Sequence, residues 1–317
     1  ISLDSNLLFG VIHKIEIRDS NIYIMDRYQR LLGIFDMSGC GIGKVGDMGR
    51  APNEYLNLTD FSIDRNGNVH IIDGRLDKKN IYDKNQNFIK SEKLPFEIDV
   101  FKCLENGCFL AGLSSWNKGL NAGDKLIKMD SVLNPLMTFC EYEKKVDANY
   151  WLSFYKFLQY RDTIIYNRFF DNNVYLFSDK GEVLKSIRFN FGSKNVPEVA
   201  LKNIERHEEL YDRLCCLKEF TIVRSNYLLG YVWDERIDKI FLIDRSKGIL
   251  YWGKPEAFNK LGRVIGVCDE GIISCIYPGD YVECLEQGKK IQLPENVKQH
   301  LNNQGVVLCI YSLNTKW

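Results

Sequence analysis

The chain has 317 residues, with 42 Lys and Arg against 42 Asp and Glu, so its formal net charge is zero. A neutral balance gives no overall attraction for nucleic acid or for an anionic membrane surface, and we expect neither as a direct partner. Apolar residues make up 45% of a chain that contains no run of about 18 apolar residues, which fits a globular protein without a membrane-spanning helix. The 13% of aromatic residues and only 7 prolines favour β-sheet.

An apolar–polar–apolar stub, Ile1–Leu3, stands before the first regular pattern. The chain starts at Ile1 without a Met. We therefore expect the native start to lie upstream, where a signal peptide or a lipidated cysteine would be found.

The main signal is a unit that recurs along the chain. A first copy spans residues 15–39 and a second spans 61–89. Each reads as a strand, a polar turn, a second strand ending in Asp, a short loop, and a third strand ending in Asp. Alternating apolar and polar residues bounded by Asn, Asp and Gly are typical of half-buried strands joined by tight turns. Further copies follow that match these two less closely. Across all copies, first strands are predicted to begin near residues 11, 58, 97, 154, 218 and 263.

Six such units predict an all-β fold, a single six-bladed β-propeller domain over residues 1–317. One four-stranded blade has two apolar faces, and stacking blades around an axis buries both faces against neighbours. The ring must also be closed, and we predict that Ile1–Leu3 completes the last blade as a strand. A pair of β-sandwiches and a β-helix are alternatives that the long repeat period disfavours.

Two segments interrupt the repeat. Within 196–217, apolar residues recur at three- and four-residue steps, which predicts an amphipathic helical insertion. Residues 294–301 form a shorter helical candidate inside the last blade. The later strands of that blade are predicted at 281–285 and 306–313.

The connection after the first unit carries a recognisable motif. Residues 46–55 and the following 60–64 resemble a signature of six-bladed β-propellers that are related to NHL repeats and occur in Bacteroides-type bacteria. Pro52, Glu54 and Tyr55 match that signature. Ala51 and Asn53 stand where glycines are usual, and Asn53 is expected to preserve a turn with positive φ.

This resemblance covers essentially the whole chain and implies a fold rather than a ligand. Proteins of this kind are often lipoproteins whose function is poorly defined. The resemblance therefore implies a location in the cell envelope, in the periplasm or at the outer membrane, with membrane attachment only through an upstream lipid anchor. We further expect a monomer.

Catalytic and metal-binding patterns are missing from the sequence. The four histidines form no metal-ligand motif, and no nucleophile elbow or phosphate-binding loop occurs. We expect no cofactor and no metal. The ten cysteines lack paired spacing, and most are expected to be small buried apolar residues. Asp residues recur at strand ends, which indicates turn hydrogen bonding rather than calcium ligation. These residues are Asp26, Asp36, Asp73, Asp83, Asp179 and Asp244.

The loops between second and third strands should all open on one face of the ring. They are rich in arginine, which binds carboxylates and other anions, and in aromatic residues, which stack on sugars or peptide side chains. The connection between the first two blades adds to this face. The predicted ligand-binding residues are Arg27, Tyr28, Arg50, Glu54, Tyr55, Arg75, Trp116, Arg168, Phe169, Trp233 and Arg236, with Asn53 and Tyr277 on the same face.

The leading functional hypothesis is a non-catalytic propeller of the cell envelope that binds a peptide, a glycan or a protein. A second hypothesis is a metal-dependent hydrolase or lyase with its site in the central channel, which would need clustered inward carboxylates. A third is a scaffold for a membrane complex, which would need a contiguous exposed apolar patch.

Overall fold

A computed structural model describes residues 1–4, 6–114, 117, 123–141, 155–168, 172–197, 213–254, 264–288 and 292–312. Within these ranges the chain forms six small antiparallel sheets in a ring, a six-bladed β-propeller, which confirms the predicted fold. First strands of different blades contact one another, which places them at the central axis. None of the helices in the described ranges has the length and apolar character that a bilayer crossing requires.

The first three blades follow the predicted order of strands. Blade 1 contains β1 (Lys14–Arg18), β2 (Asn21–Asp26), β3 (Leu31–Asp36) and β4 (Gly41–Lys44). A short parallel ladder follows, formed by β5 (Asp47–Met48) and β6 (Glu54–Tyr55). Blade 2 contains β7 (Asp60–Ile63), β8 (Val69–Asp73), β9 (Lys78–Tyr82) and β10 (Phe88–Lys93). Blade 3 contains β11 (Ile98–Cys103), β12 (Phe109–Leu113), β13 (Asp124–Met129) and β14 (Pro135–Glu141).

The last three blades include a helical insertion. Blade 4 contains β15 (Leu158–Tyr160), β16 (Thr163–Asn167), β17 (Asn173–Ser178) and β18 (Val183–Arg188), followed by a 3₁₀ turn at Gly192–Lys194. Blade 5 contains β19 (Cys215–Val223), β20 (Tyr227–Asp234), β21 (Ile237–Asp244) and β22 (Ile249–Gly253). Blade 6 contains β23 (Gly266–Cys268), β24 (Gly271–Ile276) and β25 (Val307–Tyr311), with α1 (Pro278–Glu286) and α2 (Glu295–Asn302) between β24 and β25.

Closure of the ring occurs where the sequence predicts it. Ser2 pairs with Val307 in an antiparallel bridge, and the N–H of Leu3 donates to the carbonyl of Val306 at 3.0 Å. The N–H of Leu308 donates to the carbonyl of Ile1 at 2.8 Å. The stub therefore supplies the fourth strand of blade 6.

The structure confirms one of the two predicted helical segments and corrects the predicted strand beside it. Helix α2 confirms the short helical candidate at 294–301. The strand predicted at 281–285 is wrong, because these residues lie in α1, where Pro278 occupies the first turn and Tyr281 packs under the helix. Of the helical candidate at 196–217, residues 198–212 lie outside the described ranges, and its end is wrong because Cys215 begins strand β19.

Tight turns join the strands of a blade. The two-residue turn Asp19–Ser20 has φ values of 49° and 60° and joins β1 to β2, and Glu235–Arg236, with 52° and 65°, joins β20 to β21. Two consecutive residues with positive φ are the signature of a type I′ turn, whose twist matches that of the flanking strands. Polar residues at these positions tolerate this conformation better than branched apolar residues do.

The Asp residues at strand ends have the structural role that the repeat predicts. The Asp73 carboxylate accepts the N–H of Leu56 at 2.7 Å and that of Arg75 at 2.9 Å, so it ties the inter-blade connection to the next loop. Asp26 makes the same contacts in blade 1. Asp36, Asp83 and Asp244 accept N–H groups of their own turns. The role predicted for Asp179 is wrong, because the hydroxyl of Ser178 accepts the turn N–H groups instead.

The hydrophobic core consists of clusters between neighbouring blades. One cluster joins blades 1 and 2 around Ile34, Phe61 and Ile71. Another joins blade 6 to blade 1 and includes Leu3 and Phe35. Each blade therefore buries both faces, which is the physical reason for the ring.

Cysteines are buried less often than predicted. Only Cys103, Cys215 and Cys216 are fully buried, Cys40 is exposed, and the other six are partly exposed. Burial raises the pKa of the Cys103 and Cys215 thiols to about 12, so neither is a nucleophile at neutral pH.

His70 is buried at the interface of blades 2 and 3. Its ring lies 5.6 Å from the Phe109 ring, and its Nε2 donates to Asp64 at 3.1 Å. Burial lowers the pKa of His70 below 6.5, and nearby Lys79 adds to this, although the hydrogen bond to Asp64 opposes it. The unfolded chain therefore takes up the His70 proton first as the pH falls, and stability declines below about pH 6.5.

We expect His70→Gln to flatten this decline. Urea unfolding midpoints measured between pH 7.5 and 5 should fall more steeply for the natural chain than for the variant. Parallel curves would show that His70 takes no part in the pH dependence.

Candidate functional site

The central axis is lined by ion pairs between first strands. Lys14 Nζ lies 2.9 Å from an Asp60 carboxylate oxygen and 3.3 Å from Glu16. Glu16 also pairs with Lys102 of blade 3 at 3.1 Å. Lys14, Asp60 and Lys102 are almost fully buried. These pairs hold blades 1, 2 and 3 together around the channel.

The partners of Lys14 and Glu16 favour their charged forms, whereas burial raises the pKa of Asp60 although Lys14 opposes the rise. Burial opposes the charge on Lys14, but Asp60 and Glu16 outweigh burial and raise its pKa. Burial also opposes the charge on Glu16, but Lys102 and Lys14 lower its pKa. The same Asp60 carboxylate accepts the N–H of Phe101 at 2.7 Å, so it joins β7 to β11 through backbone as well as through charge.

The two ends of the channel differ in the elements that surround them. We call the end with the loops between second and third strands the upper mouth, and the end with the turns between first and second strands the lower mouth. Each first strand begins at the upper mouth and ends at the lower mouth. The predicted ligand-binding loops, so far as the structure describes them, therefore belong to the upper mouth.

At the upper mouth, two of the predicted arginines act on one buried carboxylate. Asp99, in the first strand of blade 3, accepts the hydroxyl of Tyr155 at 3.1 Å and that of Ser114. Burial raises the pKa of Asp99, whereas Ser114, Arg168, Tyr155 and Arg27 oppose that rise. The Arg168 guanidinium also lies over the Tyr155 ring, 5.2 Å from its centre. Arg27 and Arg168 thus both favour the charged form of Asp99.

Tyr28 stands beside this group as an exposed aromatic surface. Its side chain is 78% exposed. Its ring meets the His13 ring edge-on at 4.8 Å, and the His13 Nδ1 lies 2.9 Å from the carbonyl of Val11. An exposed ring held in place by a neighbour can stack on a sugar or on a peptide side chain.

The other predicted residues of the upper mouth differ in their exposure and contacts. Arg75 and Arg236 are exposed in the loops of blades 2 and 5. Trp233 lies near the end of β20, with Lys218 Nζ 5.4 Å from its ring centre. The hydroxyl of Tyr277 accepts the N–H of Ile12 at 2.7 Å, which gives it a role in packing. Trp116 and Phe169 lie outside the described residues.

The motif after blade 1 builds the connection to blade 2. Tyr55 is only 2% exposed and its hydroxyl donates to the carbonyls of Arg30 and Val45, so its ring is not available to a ligand. Glu54 folds back to accept the N–H of Ala51 at 2.8 Å, while Arg50 remains exposed. We therefore exclude Tyr55 from the candidate site as a correction to the predicted set.

The glycines of this motif are constrained to different degrees. Gly46 has a φ of 65°, and a Cβ there would collide with the Tyr82 hydroxyl. A Cβ on Gly49 would meet only the Glu54 carboxylate, the end of a flexible side chain that can move aside, so Gly46 is the more constrained of the two. The positive φ expected at Asn53 is wrong, because Asn53 is not among the residues with positive φ.

Several residues of the upper mouth escape prediction from the sequence. Asp99, Ser114 and Tyr155 come from two blades and meet only in the folded ring. The polar residues of the first strands, such as Lys14 and Glu16, were a usable signal. In an ordinary half-buried strand such residues would face solvent. In a propeller the polar face of a first strand faces the axis.

The described residues contain no group of three or more His, Cys, Asp or Glu side chains placed to hold a metal ion. The carboxylates at the axis are instead matched with lysines and arginines. Fold and channel together define a β-propeller with a polar, ion-paired axis. The chain belongs to the family described as "Domain of unknown function (DUF4934)", whose model matches residues 4–306.

Solved structures of low sequence identity share the fold. A presumed exported protein from Bacteroides fragilis NCTC 9343 is 17% identical, with a TM-score of 0.81 over 98% of this chain and 94% of that chain. A member of the DUF4221 family from Bacteroides vulgatus is 10% identical, with a TM-score of 0.52 over 99% and 96% of the two chains. No curated protein matches this chain in sequence.

Proposed function

We propose that this chain is a non-catalytic binding propeller of the bacterial cell envelope that takes a peptide, glycan or protein partner at the upper mouth. The observation that carries the proposal is the Arg168 guanidinium, which lies 5.2 Å from the centre of the Tyr155 ring, while the Tyr155 hydroxyl donates to Asp99 at 3.1 Å. Arg27 acts on the same carboxylate. Arginine presents planar, forked donors that match a carboxylate or phosphate. With Tyr28 exposed beside them, the group fits an acidic sugar or the carboxylate of a peptide.

The envelope location rests on two supports. The chain resembles envelope propellers in the motif at 46–55, and the neighbour from Bacteroides fragilis is named for presumed export. A lipid anchor upstream of Ile1 remains part of the proposal.

A metal-dependent hydrolase or lyase in the channel has less support. The inward carboxylates Glu16, Asp60 and Glu219 each face a lysine within the described part of the chain. A carboxylate that neutralises a lysine has less charge to offer a metal ion.

The test is a screen of glycan and peptide arrays, followed by calorimetric titration of the best acidic ligand. We expect Arg27→Gln with Arg168→Gln to weaken binding about 100-fold, since a hydrogen bond to a charged group contributes about 1.5–3 kcal/mol and about 1.4 kcal/mol is a factor of ten. The methyl ester of the same ligand should bind about tenfold more weakly than the free acid.

The matched control is Arg75→Gln with Arg236→Gln, which removes the same charge from two exposed loop arginines of the same face. Equal losses in both double variants would show that net charge, not the Asp99 group, binds the ligand. A pair of Arg→Lys changes at 27 and 168 keeps the charge beside Asp99 if the glutamine variant fails to fold.

A further inference from the structure

The lower mouth opens into a cavity of about 410 Å³ that is separate from the arginine pair of the upper mouth. Its walls come from the first strands of blades 1, 2, 3, 4 and 6 and from their turns. Ile17, Ile63, Leu158 and Val267 supply apolar wall, and the Glu16–Lys102 ion pair lies at the inner end. A cavity of this size with convergent polar groups is the usual form of a small-ligand site.

The charges around the lower mouth do not balance. The lining residues carry carboxylates at Glu16, Glu105, Asp179, Asp269 and Glu270 against cations at Arg18, Lys102 and Arg161. The cations are engaged, since Lys102 pairs with Glu16, Arg18 lies 3.5 Å from Glu105, and Arg161 lies 3.5 Å from Asp269. The residues that line the cavity therefore carry two more carboxylates than cations.

The two remaining carboxylates belong to Asp179 and Glu270. Neither forms an ion pair within the described part of the chain. A hydrogen bond from the Cys268 thiol lowers the pKa of Glu270, so this carboxylate stays charged near neutral pH. The carbonyl of Asp179 accepts the N–H of Glu105 at 2.9 Å, which fixes its backbone at the rim.

We propose that the lower mouth binds an organic cation with an alkyl body, namely a free aliphatic diamine. The apolar wall suits the methylene chain, and Asp179 and Glu270 suit the ammonium group. The cation enters from below, where these carboxylates line the cavity. This proposal does not depend on the ligand proposed for the upper mouth.

The experiment is calorimetric titration of the whole chain with cadaverine, a five-carbon diamine, at low salt. We expect a dissociation constant of about 1 mM, and binding that weakens as salt screens the rim charges. Pentane-1,5-diol, the neutral counterpart, should give no heat of binding at about 10 mM. Equal binding of the diol, or no binding of cadaverine at about 10 mM, would overturn the proposal.

The variant that tests the residues is Asp179→Asn with Glu270→Gln, which should weaken cadaverine binding about tenfold, since about 1.4 kcal/mol is a factor of ten. Asp47→Asn with Glu286→Gln removes the same charge from two exposed carboxylates elsewhere and should leave the affinity within about twofold. Equal weakening in both double variants would overturn the assignment. So would displacement of cadaverine by an equimolar amount of Ca²⁺, which would make the site one for a metal ion.

Discussion

Replacing Asp60 with alanine is expected to lower the free energy of unfolding by about 3–5 kcal/mol, because it leaves a buried lysine without its main counter-charge. Asp60 is fully buried, pairs with Lys14 at 2.9 Å and accepts the N–H of Phe101 at 2.7 Å. The substitution therefore leaves Lys14 without its main counter-charge and the N–H of Phe101 without its acceptor. Urea unfolding followed by tryptophan fluorescence measures the loss.

Two further variants separate charge from backbone effects. Asp162→Ala removes an exposed carboxylate and should change stability by no more than about 0.5 kcal/mol. The double change Lys14→Met with Asp60→Leu should recover part of the loss, since a buried ion pair can often be replaced by packed apolar residues. If Asp60→Ala unfolds at the same urea concentration as the natural chain, the ion pair does not stabilise the ring.

Replacing Leu3 with aspartate is expected to cost about 3–5 kcal/mol, because this residue closes the ring. Leu3 is 2% exposed and packs in the cluster between blades 6 and 1. Burying a leucine side chain contributes about 1.5–3 kcal/mol, and placing a carboxylate in the same position adds the cost of its desolvation. The N–H of Leu3 also pairs with Val306 in the closing strand. The unfolding midpoint in urea is the measurement.

The matched control is the same substitution at Leu8, which is 65% exposed. Leu8→Asp should change stability by about 0.5 kcal/mol at most, and Leu3→Met by less than about 1.5 kcal/mol. If Leu3→Asp and Leu8→Asp unfold at the same midpoint, closure by the first residues adds nothing to stability.

The blades could be predicted because their pattern is local. Alternation along β2 and the turn at Asp19–Ser20 each depend on residues that are neighbours in sequence. The closing role of Ile1–Leu3 was also predictable. The last blade lacks one strand, and Ile1–Leu3 is an apolar segment that belongs to no repeat. Residues 281–285 were wrongly predicted as a strand, because a short apolar run fits a strand or a helix equally well. Pro278, in the first turn, favours the helix that the structure shows.

The candidate site was predicted less completely than the blades. Arg27, Tyr28 and Arg168 are in the loops that the repeat assigns to the upper mouth. Tyr55 was predicted on the same face, yet it is buried. The prediction failed because the sequence pattern does not show which side chains of a connection point towards the neighbouring blade.

The sequence by itself determined the class of fold, the number of blades, the closing strand and the turn role of most strand-end Asp residues. Each of these follows from the period of the repeat and from local hydrogen bonding. Only the tertiary structure decided which charges meet at the axis, where Lys14 pairs with Asp60 and Lys102 pairs with Glu16. These partners are brought together by the closure of the ring, and a pairing between blades leaves no trace in the spacing of residues along the chain.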